Sequence, residues 1–254
     1  MESDAYLSYR SAITSPTVRA VWMKAYGAQF WDDAEPPWSM ATKDDVSFVA
    51  DVLNPKPSSV IADLGCGAGG FGRHIVRATE ARVASIDANP IAVRCARERA
   101  AEAGLQDRIS FVTGDLAATG WSDAQFDGAA SFDVLMFVPD KLAALKEIAR
   151  VLKPGAPFAG MVFEFWSDSR SLSVSAFSDY PAAFAQAGFT VEQYEEAPDW
   201  RRLLTDSLRG LVSHETELTR ELHPAAHARM LQWARTRPGE LDDSRRVRFC
   251  VRRG

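Results

Sequence analysis

Two stretches of this sequence carry residues whose types and spacing suit ligand chemistry. Asp63-Leu64-Gly65-Cys66-Gly67-Ala68-Gly69-Gly70 ends a short apolar run in a glycine turn. Glycines there let the backbone bend tightly and let a ligand approach with no side chain between. Asp87 closes the next apolar run, 22 residues past Gly65. A carboxylate at that place suits the two hydroxyls of a ribose cis-diol. Three further groups are candidates for proton transfer. Glu164, in Phe163-Glu164-Phe165-Trp166, is the strongest, because desolvation among aromatics raises a carboxyl pKa toward a working range. It is equally suited to bind a basic group on a substrate. Asp133 is the second acid, with a structural bond to the following loop as its alternative. His214 follows a leucine-rich helical pattern and is the third, with a solvated surface position as its alternative.

The glycine turn fits two patterns. Gly65, Gly67 and Gly70 satisfy G-x-G-x-x-G, the dinucleotide fingerprint. Asp63, Gly65, Gly67 and Gly69 satisfy acid-x-G-x-G-x-G. Electrostatics separates the two readings. A pyrophosphate is anionic and wants free N–H donors at a helix N-terminus, so an acid two residues before the first glycine sits badly beside it. A ligand carrying a sulfonium and an ammonium favours that acid.

The elements that position these residues alternate. Ser59–Leu64, Arg82–Asp87, Arg108–Thr113, Phe126–Val134 and Pro157–Phe165 read as strands. Gly70–Thr79, Pro90–Ala103 and Asp140–Leu152 read as helices, with Pro90 and Pro139 at first turns and Gly104 and Gly155 where helices end. Strands alternating with helices imply parallel pairing through right-handed crossovers, hence a doubly wound α/β sheet with helices on both faces. Ligands of such sheets bind beyond the carboxyl ends of the strands, where the candidate residues fall.

From Val60 to about Gly160 the sequence resembles a class I S-adenosylmethionine-dependent methyltransferase of the small-molecule (type 11, UbiE-like) kind. The resemblance implies a Rossmann-like, seven-stranded, mostly parallel sheet with an antiparallel last strand, and S-adenosylmethionine as cofactor. It implies that Asp63, Gly65, Cys66 and Gly67 wrap the methionine portion, that Asp87 holds the ribose and that Ala88 lies beside the adenine. Gly114, Asp115 and Leu116 then follow the strand whose end reads the adenine amine. Ser131 and Phe132 belong to the fourth strand, whose end faces the methyl group. Glu147 to Gly155 resembles the helix and turn before the fifth strand. One departure stands out: many relatives carry a His near the end of the fourth strand, and Met136-Phe137 stand there instead. A base is then elsewhere or unneeded. A S-adenosylmethionine binder that transfers no methyl therefore stays open as an alternative, and a NAD-dependent dehydrogenase stands behind it.

The flanks are less explicit. Residues 1–57 form an N-terminal cap, 58–195 the cofactor-binding core, 196–245 a helical lid insert and 246–254 the last core strand. The first 50 residues hold eight of the 26 aromatics: Tyr6, Tyr9, Trp22, Tyr26, Phe30, Trp31, Trp38 and Phe48. They suit either a lid with rings against a sulfonium or a packing seam. Trp38 to Thr42 leads into a helix over Lys43–Leu53 that Thr42 could cap. In the insert, Leu203, Leu204, Leu208 and Leu211 recur at helical spacing, followed by helices over Glu217–Leu222 and Pro224–Thr236. The expectation is a roof over the acceptor pocket, with a remote decoration or a dimer contact as alternatives. His223 and His227 have an i, i+4 spacing, but Pro224 intervenes and no third ligand is evident, so no metal is expected.

Composition bounds the function. The 254 residues are 46% hydrophobic and 25% charged, with a formal charge of −5. That is a globular balance, with no basic surplus for nucleic acid. The charge balance suits a small, largely apolar methyl acceptor reacting through O, N or C. Only six of the 29 basic residues are Lys, a skew that suits a GC-rich source and, by association, secondary metabolism. Three widely spaced cysteines, no leader pattern and no long apolar run lead us to expect a cytoplasmic protein with no membrane span. Either a monomer or a homodimer is compatible.

Overall fold

The structure is a computed structural model that describes residues 2–31 and 40–254. Trp38 and Ser39, read above as the approach to a helix, lie outside the described residues.

Seven strands form one sheet: β1 Val60–Leu64, β2 Arg82–Asp87, β3 Ile109–Thr113, β4 Gly128–Phe132, β5 Pro157–Phe165, β6 Phe189–Glu196 and β7 Ser244–Arg253. Their spatial order is β3-β2-β1-β4-β5-β7-β6. The first five pair in parallel. The last, β7, runs antiparallel between β5 and β6. The expected doubly wound sheet with an antiparallel last strand is the sheet observed. Central β5 is buried along all nine residues, as a strand covered on both faces must be.

The helices are α1 Asp4–Thr14, α2 Pro16–Tyr26, α3 Lys43–Leu53, α4 Gly70–Thr79, α5 Pro90–Glu102, α6 Lys141–Val151, α7 Tyr180–Gln186, α8 Trp200–Ser213, α9 Glu215–Glu221 and α10 Pro224–Thr236. One face of the sheet packs on α6 and α7 through Leu145, Ile148, Phe184 and Phe158. The other packs on α3, α4 and α5 through Val49, Ile75, Val93 and Ile61. Asn89 caps α5 and Asp140 caps α6. Thr42 and Asp45 exchange both bonds of a capping box at the start of α3.

Two strand expectations shift. The run Phe126–Val134 is strand only over β4, because Asp133 leaves extended geometry at φ +57°. The last strand starts at Ser244 rather than at 246, because Ser244 and Arg245 pair with the end of β5. Among the described residues no helix is long and apolar enough to cross a membrane.

A third apolar cluster joins α2 to α8, α9 and α10. Gly210 on α8 lets that helix meet α2 closely, since a Cβ there would stand 2.6 Å from Val21. Trp22 stacks on Trp233 at 6.5 Å between ring centres. The insert is thus packed against the N-terminal cap.

Candidate active site

A cavity of about 710 Å³ opens at the carboxyl ends of β1, β2, β3 and β4. Its floor is the glycine turn. Gly65 sits at φ +76°, and a Cβ there would meet Val134 at 2.4 Å, so turn and post-β4 loop touch only because that residue is glycine. The turn hangs from β2: Gly65 and Cys66 donate their N–H groups to the Ile86 carbonyl at 2.8 and 3.0 Å.

Asp87 Oδ2 accepts the Gly67 N–H at 2.8 Å and its Oδ1 accepts the Asn89 N–H at 2.8 Å. One carboxylate therefore fixes both the turn and the start of α5, and keeps lone pairs for hydroxyl donors. Asp63 is buried beneath the turn, with the Ser85 hydroxyl 3.4 Å away. Burial, reinforced by the neighbouring charge of Asp87, pushes its carboxyl up to about 7. Asp115 Oδ1 accepts the Ala117 N–H at 2.9 Å. That bond turns the chain after β3 so that Gly114, Asp115 and Leu116 line the cavity. Cys66 lines it too, and burial holds its thiol well above the ordinary value, so it is a poor nucleophile.

Of the sequence-derived cofactor residues, Asp63, Gly65, Cys66, Gly67, Asp87, Ala88, Gly114, Asp115, Leu116 and Phe132 come together on this cavity. Ser131 does not. Strand alternation turns its fully buried hydroxyl onto the Leu64 carbonyl at 3.1 Å.

Of the three proton-transfer candidates, the structure brings only Asp133 to the cavity. Glu164 does not line the cavity. Its flanking Phe163 and Phe165 enter the cluster under the insert, so alternation sends Glu164 to the opposite face. There it accepts from the Tyr194 hydroxyl at 2.5 Å and from Arg245 Nε. His214 sits at the α8–α9 junction, its Nδ1 2.8 Å from the Gly210 carbonyl, away from the cavity. Asp133 does line the cavity, but Arg246 holds both its oxygens.

The expected roof is also elsewhere. No residue of 196–245 lines the cavity; Tyr9 and Ile13 of α1, and Trp31, do. Of the early aromatics, Tyr9 and Trp31 face the site, while Tyr6, Trp22, Tyr26 and Phe30 are buried in packing seams. Trp31 meets His74 edge-on at 5.7 Å. Among the described residues no group of His, Cys, Asp or Glu could hold a metal ion.

Sequence reasoning missed Arg246 and Asp45. The T-x-x-D capping pattern was the one signal for Asp45, and nothing local marks Arg246. It also missed Ile13, Phe71 and Val134 as lining residues; Phe71 packs on Phe132 at 4.8 Å between ring centres.

Residues 61–155 match the family model described as a methyltransferase domain. The 24-methylenesterol C-methyltransferase 2 of Oryza sativa subsp. japonica is 30% identical over 194 residues, 76% of this chain and 51% of that protein. The first curated relatives are matched over 29 to 51% of their own length. Among solved structures, the [4+2]-cyclase SpnF superposes with a TM-score of 0.77 at 20% identity, covering 99% of this chain and 97% of that one. A phosphoethanolamine N-methyltransferase 2 of Haemonchus contortus, solved with S-adenosyl-L-methionine, gives 0.73 at 16% identity, covering 97% and 60%. These two likenesses show the fold alone.

Proposed function

This chain belongs to the methyltransferase-domain family through residues 61–155, and we propose that it moves a methyl group from S-adenosylmethionine to a small, largely apolar acceptor. One observation carries the reading. The charged side chains lining the cavity are Asp63, Asp87, Asp115 and Asp133, with no Lys, Arg or His among the described lining residues. That donor set fits a cationic cofactor and opposes the pyrophosphate of a dinucleotide.

In this reading Asp87 takes the ribose hydroxyls and Asp115 the adenine amine. Ala88 and Leu116 flank the adenine. Asp63 lies beneath the methionine portion, and the glycine turn wraps it. The cofactor, when bound, supplies an electrophilic methyl group on a good leaving group. The chain then has to bind, orient and exclude water, which accounts for much of such a rate. Tyr9, Ile13 and Trp31 close the cavity from the cap side. With Asp63, Asp87 and Asp115 committed to the cofactor and both oxygens of Asp133 held by Arg246, the reaction proceeds by positioning. The divisions 1–57, 58–195, 196–245 and 246–254 stand as our proposal, with the insert acting as a brace rather than a roof. We also propose a cytoplasmic protein of secondary metabolism, monomeric or homodimeric, with O, N or C as the methylated atom.

A second reading is a binder of the same cofactor that steers another reaction without methyl transfer. Asp133, the acid between Phe132 and Val134, has both oxygens held by Arg246, and this favours it. Thermal stabilisation by S-adenosylmethionine against NAD tests the cofactor, and a larger shift with NAD overturns both readings. Release of S-adenosylhomocysteine only when an acceptor is present separates transfer from binding.

A further inference from the structure

Resting on that cofactor reading, we propose that the acceptor is an uncharged, planar, unsaturated molecule that lies on the ring of Phe137, and that anionic molecules are excluded. The described residues include five exposed large hydrophobics: Leu7, Met23, Val112, Phe137 and Trp166. Phe137 is the one of these that also lines the cavity. Phe137 is 51% exposed, whereas Leu135 and Met136 beside it are buried. Those two anchor the turn, and the Phe137 N–H donates to the Val134 carbonyl at 2.8 Å. A fixed turn therefore holds an aromatic face out at the cavity mouth. Val138 and Pro139 continue the same wall, so it offers contact area and no hydrogen bond. A flat conjugated ligand gains most from such a surface, through ring stacking and apolar burial.

Charge sets the second half of the proposal. Of the four acids that line the cavity, Asp133 is the nearest to this wall in the chain, and Arg246 matches its charge. Asp87 and Asp115 have no cation beside them on the cavity surface, and Asp63 lies buried beneath it. One cationic cofactor offsets only part of that charge. A phosphate, sulfonate or carboxylate on the acceptor would enter a net negative cavity without a basic partner, a costly placement in a partly desolvated site.

The test uses one ring system with and without a charge. N-phenyl-1-naphthylamine is neutral, and 8-anilinonaphthalene-1-sulfonate is its anionic counterpart. Both are titrated by fluorescence into protein saturated with S-adenosylhomocysteine. We expect the neutral probe to bind at least tenfold more tightly. Phe137→Ala should weaken the neutral probe at least fivefold while S-adenosylhomocysteine affinity by calorimetry stays unchanged. Phe137→Tyr should keep neutral binding, and Phe137→Arg should shift preference toward the sulfonate. Equal binding of both probes, or a neutral probe indifferent to Phe137→Ala, overturns the proposal. Failure of S-adenosylhomocysteine to bind is seen separately in the calorimetry and overturns the cofactor reading. The probes are then compared on the unliganded protein, where Phe137 and the acids are still in place and the same outcomes decide.

Discussion

Arg246 on β7 grips Asp133, just past β4, with two parallel hydrogen bonds, Nε to Oδ1 and Nη2 to Oδ2, each 2.9 Å. Its remaining nitrogen, Nη1, donates to Asp45 Oδ2 at 2.8 Å. Asp45 in turn accepts from Arg248 at 3.1 Å and closes the capping box of α3. Burial would lower the Arg246 pKa, and the charges of Asp133 and Asp45 more than reverse that. One guanidinium thereby ties the last strand, the cavity wall and α3, the helix at the end of the cap.

Removing that guanidinium leaves two carboxylates buried with their main partner gone. Arg246→Met is expected to lower unfolding stability by about 3–5 kcal/mol. Arg246→Lys should recover little, since a lysine cannot make the paired bonds. Urea denaturation checks both. An Arg246→Met midpoint equal to that of the unaltered protein would mean the network is not formed in solution.

Glu164 is expected to matter for folding rather than for turnover. It is fully buried and tied to Tyr194 and Arg245. Glu164→Gln removes the charge opposite Arg245 and should cost about 1–3 kcal/mol of stability. Turnover per folded molecule should stay within about twofold, a change of under 0.5 kcal/mol in the barrier. A selective loss of turnover with unchanged stability would restore it as a base.

Glu164 and Asp133 show what the sequence could carry. Strand and helix runs were legible to the residue in β2, β5, α3, α4 and α10, because periodicity and caps are local. The cofactor turn was legible because glycines and acids fall at fixed offsets within one strand–turn–helix unit. The face of β5 on which Glu164 lies was not, because a fully buried strand has no polar face to set the register. Asp133's partner was not, because Arg246 lies 113 residues on. The destination of the insert was not, because an apolar stripe on α8 says that it is buried and not against what.

The insert as a brace makes its own prediction. Glu221 on α9 accepts bonds from the Ser15 and Thr17 hydroxyls and the Thr17 N–H at the α1–α2 corner. Arg229 on α10 reaches the Ser8 hydroxyl at 2.8 Å. On its other side α1 is tied to α5, where the Tyr6 hydroxyl donates to Glu98 at 2.7 Å. Glu221→Ala is therefore expected to loosen α1, speeding proteolysis within residues 2–31 and S-adenosylhomocysteine dissociation by about tenfold, equivalent to 1.4 kcal/mol. Unchanged dissociation would show that the cap closes without the insert.

Asp63 gives the pH dependence. Its carboxyl is raised from 3.8 to about 7 by burial. A group raised on folding contributes stability that is full below its unfolded pKa and is lost as pH rises through the folded one. Unliganded protein should therefore lose stability between about pH 4 and pH 7 at this group, and Asp63→Asn should flatten that slope. Cofactor affinity should run the other way. A cationic ligand prefers the ionised carboxylate, so binding should strengthen by about tenfold from pH 6 to pH 8, the change in ionised fraction for a group near 7. Binding at pH 7 should also release protons, read as a calorimetric heat that varies with the ionisation enthalpy of the buffer. Proton release that persists unchanged in Asp63→Asn would assign it to another group.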